Sequence, residues 1–259
     1  MRGLSANISL MYSSLPFLDR LEAAAGDGFT SVEFWMSPDP GATASELANL
    51  GLGVSAINVD PGPGPDAAGL LSDPTQTEWW RSEFLKTLQY ASLVGCRTIN
   101  ALVGGRDDVK RSAQVGTMLE NLEWALKRIP DGVVVVLEPL NRRDRPNYLL
   151  HTVRDANVVR EALGDPAGLR ILFDAFHLYD EQQDLAALFR AHINAIGHVQ
   201  IADVPGRGAP GTGSIKFAPF WSALADEYDG WLGLEYHADS DGLGWLESEP
   251  HAVLRALAR

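Results

Sequence analysis

Four short apolar segments in the second half of the chain each end on a side chain that carries oxygen. VVVVLEPLN delivers Glu138, LFDAFH delivers Asp174, GHVQIAD delivers Gln200 and LGLEYH delivers Glu235. A carboxylate that emerges from an apolar strand must be paired, protonated or bound to a metal, because an isolated buried charge is very costly. The strand ends hold no group of Lys or Arg to match three carboxylates, whereas a divalent cation would neutralise them directly. Oxygen ligands suit Mg²⁺ or Mn²⁺ best, with Co²⁺ or Zn²⁺ as alternatives. Taken singly, Glu138 or Glu235 could face a helix N-terminus, and Gln200 could satisfy backbone groups. Together the four side chains predict a metal centre.

Other polar residues at these ends invite roles around such a centre. His177 follows Asp174 by three residues and is expected to contact substrate. His198 shares a strand face with Gln200, two residues away, and could equally pack deeper. Glu33, in Val32-Glu33-Phe34-Trp35, reads as a supporting carboxylate. His151, His192 and His251 fall in helical or loop segments and read as packing or surface residues. Cys96, the single cysteine, lies in the apolar run Leu93–Cys96 and reads as a small buried residue.

To bring residues from four strands to one place, the chain needs a sheet whose C-terminal ends converge. Eight β-branched apolar runs can be traced, at 6–11, 31–35, 53–59, 98–103, 133–137, 170–173, 196–201 and 231–236. Several are almost wholly apolar, as strands of a parallel sheet covered on both faces should be. Helical periodicity fills the gaps at 15–25, 42–50, 79–94, 118–129, 153–163, 185–193, 219–225 and 250–257. Strand and helix alternating eight times, with no linker or change of composition, predict an α/β fold, a single (β/α)8 TIM barrel over 1–259. A dinucleotide fingerprint Gly-x-Gly-x-x-Gly does not follow the first strand, which argues against an open doubly wound sheet. The Pro- and Gly-rich segment 60–74 is either a plain surface loop or a lid over the catalytic face.

Composition narrows the partners. The 259 residues carry a formal net charge of −13, with 46 % hydrophobic and 21 % charged residues. So acidic a chain is poorly suited to a phosphate backbone, and no nucleic-acid partner is expected. One cysteine permits no intrachain disulfide, and no apolar run is long enough to span a membrane. A cytoplasmic enzyme with a small-molecule substrate and no membrane partner is expected. Trp79 and Trp245 could mark a contact in a homo-oligomer or close the barrel ends.

The segments LEPLNRRDRPNYLL, FDAFHLY, GHVQIADVPGRGAPGTGSIKF and LGLEYH resemble the hydroxypyruvate isomerase family of the xylose isomerase-like barrels, and the likeness extends over nearly the whole chain. The resemblance implies that Glu138, Asp174, Gln200 and Glu235 are metal ligands, with Glu138 and Glu235 doubling as the catalytic acid/base pair. It also implies that His177, Arg207 and Asp144 contact substrate, Arg207 through a carboxylate or hydroxyl. The implied reaction is a metal-dependent isomerisation of a small hydroxy-carbonyl acid or sugar, such as hydroxypyruvate to tartronate semialdehyde or a 2-oxo-tetronate. A ketose 3-epimerase or a polyol dehydratase could use the same barrel, and a DNA-repair endonuclease is disfavoured by the charge. The chain departs from the family in its 60–74 loop and at Gly208 and Ser214, all regions expected near substrate.

Overall fold

A computed structural model describes residues 1–64, 67–181, 183–238 and 244–247. Eight parallel strands close on themselves in sequence order: β1 (Gly3–Asn7), β2 (Ser31–Phe34), β3 (Gly53–Asn58), β4 (Thr98–Asn100), β5 (Val134–Leu137), β6 (Leu169–Asp174), β7 (Ile196–Ile201) and β8 (Trp231–Leu234). β1 closes the barrel against β8, with Gly3 opposite Trp231 and Ala6 opposite Leu234. The helices α1 (Phe17–Gly26), α2 (Pro40–Leu50), α3 (Thr77–Val94), α4 (Arg111–Leu126), α5 (Val153–Ala162), α6 (Ala175–Leu178), α7 (Leu185–His192) and α8 (Phe217–Glu227) run between strands. The expected helix at 250–257, with His251, and the Trp245 side chain lie outside the described residues.

Local chemistry explains where the elements begin and end. β5 is built of Val and Leu, whose branched side chains suit a pleated strand packed on both faces. Asp39 caps α2 by accepting from the Ala42 N–H, with Pro40 at the first helical position. At α5, Thr152 and Asp155 form a reciprocal capping box. Apolar side chains fill the layer between strands and helices, where Trp80, Phe84, Phe173, Phe189, Phe220 and Trp221 are almost wholly buried. Trp79 packs partly buried against that layer.

Two expectations need correction. The first strand lies at Gly3–Asn7, earlier than the predicted 6–11, and residues 8–10 form a turn. Its inward residues are Ser5 and Asn7, polar groups satisfied inside the barrel, so hydrophobicity alone points too far along the chain. α4 likewise begins at Arg111, well before the predicted 118, and buries Gln114 and Asn121 among its apolar residues.

The described residues 67–74 pack tightly against the segment that follows β4. Gly69 has a φ of +103°, and a Cβ there would lie 1.9 Å from the Leu102 carbonyl oxygen, so glycine is required for this approach. Leu71 is fully buried beneath the loop, and the Ser72 N–H donates to the Val103 carbonyl.

Candidate active site at the barrel mouth

The C-terminal strand ends surround a cavity of about 530 Å³ whose wall includes Trp35, Glu138, His177, Arg207 and Glu235. Pro61, Ala67 and Ala68 of the 60–74 loop complete that wall. Glu138 follows β5, Asp174 ends β6 and Glu235 follows β8, and all three carboxylates are buried. Asp174 and Gln200 are direct neighbours in the β6–β7 register, so both side chains leave the sheet on the same face.

The structure brings the expected residues together and adds detail to each. Glu138 Oε2 accepts from Asn100 Nδ2 at 2.7 Å. Glu235 Oε1 accepts from the Trp35 indole N–H at 2.9 Å. Asp174 Oδ1 accepts from the Phe176 N–H, which starts α6 directly behind the carboxylate. One ligand atom each from Glu138, Asp174 and His177 lies within 4.8 Å of the other two. His177, expected to touch only substrate, therefore stands among the candidate ligands as well. Asp144 lies at the cavity wall, where Asn141 and Arg143 donate to its carboxylate.

Arg207, from a loop beyond the strand ends, brings a guanidinium to the carboxylates. Its Nη2 lies 2.8 Å from Asp174 Oδ2 and 3.0 Å from Glu235 Oε2, close enough for two ion pairs although misaligned for a hydrogen bond to the second. Its Nε donates to the Glu235 carbonyl, and its guanidinium lies 4.8 Å from the Phe176 ring centre. The reach comes from the loop after β7. Buried Asp203 accepts four backbone N–H bonds there, from Val204, Gly211, Gly213 and Ile215, and so folds the loop back over the strand ends. Arg207 adopts φ +56° at its tip.

Burial and crowding set the protonation states. Glu138 is held well above the usual carboxylate range, by loss of solvent first and then by the charges of Glu235 and Asp174. Glu235 is raised to about 7, again chiefly by burial, with Arg207 and the Trp35 hydrogen bond acting in the opposite direction. Burial lowers His177 to about 4, so its imidazole is neutral near pH 7.

The tautomer of that imidazole follows from its neighbours. The Asn141 amide is oriented by donating to Asp144 Oδ2 and accepting from the Asp144 N–H. Its Nδ2 therefore faces His177 Nδ1, 2.8 Å away, as a donor. A neutral ring that accepts at Nδ1 carries its proton on Nε2. Nε2 in turn lies 3.0 Å from Arg207 Nη1, which can only donate. Two donors thus converge with no acceptor between them, an arrangement that an oxygen of a bound molecule would satisfy.

The donor set also fits a divalent cation. Gln200 Nε2 is committed to Glu33, which leaves Gln200 Oε1 buried and without a hydrogen-bond donor. Three buried carboxylates and one orphaned amide oxygen form a hard, oxygen-rich set of the kind that holds Mg²⁺ or Mn²⁺.

Comparison with known proteins agrees with this geometry. Residues 21–258 match the family described as xylose isomerase-like TIM barrel. The 2-oxo-tetronate isomerase of Cupriavidus necator is 36 % identical over 95 % of this chain and 98 % of its own. The hydroxypyruvate isomerase of Escherichia coli is 31 % identical over 95 % of this chain and 99 % of its own. The chain belongs to the hydroxypyruvate isomerase family of xylose isomerase-like barrels. Among solved structures, a protein described as AP endonuclease, family 2, from Brucella melitensis superposes with a TM-score of 0.87 at 32 % identity, over 95 % of this chain and 98 % of the other.

As a member of this family the protein is an isomerase, on the single barrel that the resemblance implies. Sequence reasoning assigned no role to three side chains that shape the mouth. Trp35 and Asn100 each bond one of the two glutamates, and their only signal was a polar-capable residue at a strand end. Phe176, beneath the Arg207 guanidinium, carried no signal beyond its place between Asp174 and His177. Away from the mouth, Cys96 is buried with its thiol pushed up to about 12 by loss of solvent, in line with a packing role. His151 is buried and bonded to the Leu140 carbonyl, and His192 to Asn157, so both belong to packing. Among the described residues no helix is long and apolar enough to cross a membrane.

Proposed function

We propose that this protein is a divalent-metal-dependent isomerase of a small hydroxy-carbonyl acid, of the hydroxypyruvate or 2-oxo-tetronate type. The observation that carries the reading is the convergence of buried Glu138 and Glu235 with His177 and Arg207 on one cavity, with Asp174 paired to Arg207 behind its wall. Relatives above 30 % identity named for such isomerases support the substrate class.

Glu138, Asp174, Gln200 and Glu235 would hold the cation, and His177, with its proton on Nε2, would face the substrate. When bound, the cation supplies positive charge against the substrate's carbonyl and hydroxyl oxygens.

The chain's own groups account for the proton movements. One glutamate takes the proton from the hydroxyl-bearing carbon, and the C–H electrons become a carbon–carbon double bond. The carbonyl π electrons move onto oxygen, giving an enediolate. The other glutamate returns a proton to the former carbonyl carbon, while the hydroxyl proton passes to the oxygen of the former carbonyl and a carbonyl forms next door. Two carboxylates facing one cavity can take and return such a proton. The Nε2–H of His177 and the remaining Nη1–H of Arg207 are placed to donate to the oxygen on which charge develops. Asp144 and the 60–74 loop line the outer wall, where the rest of the substrate would lie.

Substrate profiling tests the reading. Hydroxypyruvate and a four-carbon 2-oxo-tetronate should be converted far faster than neutral ketoses when Mn²⁺ is present. Inversion at carbon 3 of ketoses, with the 2-oxo acids untouched, would replace this reading by an epimerase on the same barrel.

A further inference from the structure

Below the mouth, the barrel interior holds a charged group that the proton transfers do not use. Glu33 of β2 is 1 % exposed and is absent from the cavity wall. Its Oε1 receives Asn7 Nδ2 at 3.1 Å and Gln200 Nε2 at 2.7 Å. Its Oε2 receives His198 Nε2 at 2.6 Å and Ser55 Oγ at 3.2 Å. The barrel wall is shaped around this carboxylate, since a Cβ on Gly233 of β8 would lie 2.5 Å from Glu33 Oε2 and 2.6 Å from Oε1.

A carboxylate only accepts, so the amide of Gln200 has one permitted orientation. Its NH₂ faces Glu33 and its carbonyl oxygen faces away. That Oε1 is buried and has no hydrogen-bond donor. Gln200 also lies beside Asp174 in the strand register, so the orphaned oxygen belongs to the same layer as the carboxylates. In the flipped orientation Oε1 would oppose the Glu33 carboxylate at hydrogen-bond distance and the NH₂ would lie among the carboxylates.

We propose that Glu33 is a positioning residue that turns the carbonyl oxygen of Gln200 toward the carboxylate layer, so that a divalent cation meets an oxygen ligand from β7. The inference rests on the metal-dependent reading above, and its test measures cation binding directly without turnover. An alternative role, as a buried anchor that merely stabilises the barrel or adds negative charge, predicts a different pattern in a double-mutant cycle.

The experiment is Mn²⁺ titration of the full-length protein, read by the electron paramagnetic resonance signal of free Mn²⁺. The four proteins are wild type, Glu33→Gln, Gln200→Ala and the double variant. A glutamine at 33 can offer its own NH₂ to Gln200, which then turns its NH₂ to the cation. Glu33→Gln is therefore expected to weaken Mn²⁺ binding by about tenfold or more, the usual scale for groups that orient a ligand. In the Gln200→Ala background the same change should cost less than about threefold, because no amide is left to orient. Equal losses in both backgrounds would overturn the proposal in favour of a charge or packing effect, as would an unchanged affinity in Glu33→Gln. Wild-type protein that binds no Mn²⁺ would overturn this proposal and the metal-dependent reading together, whereas Mn²⁺ binding without turnover would touch only the latter's substrate. Should Glu33→Gln fail to fold, Gln200→His serves in its place. An imidazole has one N–H for Glu33 and one lone pair for the cation, so Mn²⁺ binding should persist, and its loss would contradict the proposal.

Discussion

Replacing Arg207 by Met removes the one guanidinium seen to pair with Asp174 and Glu235 while keeping a side chain of similar length. The Arg207 side chain is 15 % exposed, and those of Asp174 and Glu235 are 0 % and 5 % exposed. Removing one partner of such a buried pair leaves uncompensated charge and costs about 3–5 kcal/mol. For a chain of this size, each kcal/mol shifts Tm by roughly 2–4 °C, which gives a drop of about 6–20 °C for the metal-free variant at pH 8. Two further signs follow from the same cause. Lowering the pH toward 5 protonates the glutamates, whose proton affinities rise further without Arg207, so the deficit should shrink. Mn²⁺ supplies the missing positive charge, so it should raise the variant's Tm more than that of wild type. Differential scanning fluorimetry at pH 5 and pH 8, with chelator and with Mn²⁺, reads all three. A Tm within about 2 °C of wild type at pH 8, or a deficit unaffected by both pH and Mn²⁺, would refute the view that Arg207 offsets the carboxylates.

The remaining predictions concern the two glutamates and the barrel beneath them. In the metal-free wild type, Glu138 and Glu235 bind protons more tightly folded than unfolded, so the stability they contribute should be fully present below pH 4.5. It should fall as the pH rises through about 7, where Glu235 ionises, and thermal melts from pH 5 to pH 8 check the slope. Trp35→Phe removes a donor that favours ionised Glu235, so the rising limb of the pH–rate profile should move to higher pH, with kcat falling more than KM changes. Gly233→Ala would press a methyl group against the Glu33 carboxylate, and a loss of about 1–3 kcal/mol is expected in denaturant titration, together with weaker Mn²⁺ binding.

Legibility in the sequence followed the physics of each element. β5, β6, β7 and β8 could be read because apolar residues run into a polar strand end, which left Glu138, Asp174, Gln200 and Glu235 visible as a set. β1 was misplaced because its inward residues satisfy one another through hydrogen bonds, and such pairing has no signature in hydropathy. Arg207 was legible as a residue of the mouth through family resemblance, yet its pairing with Asp174 and Glu235 was not. That contact depends on Asp203 gathering four backbone N–H groups from a loop of Gly and Pro, a fold-back that spacing alone does not encode. The tautomer of His177 and the orientation of Gln200 likewise depend on partners more than 30 and 160 residues distant in sequence.

The most direct test of the account compares hydroxypyruvate conversion by wild type and by Glu138→Gln, each stripped of metal and then supplied with Mn²⁺. The account predicts no turnover in stripped wild type, activity restored by Mn²⁺, and a loss of at least about a thousandfold in the variant at saturating Mn²⁺. Turnover that survives stripping, or a Glu138→Gln enzyme as fast as wild type, would contradict it.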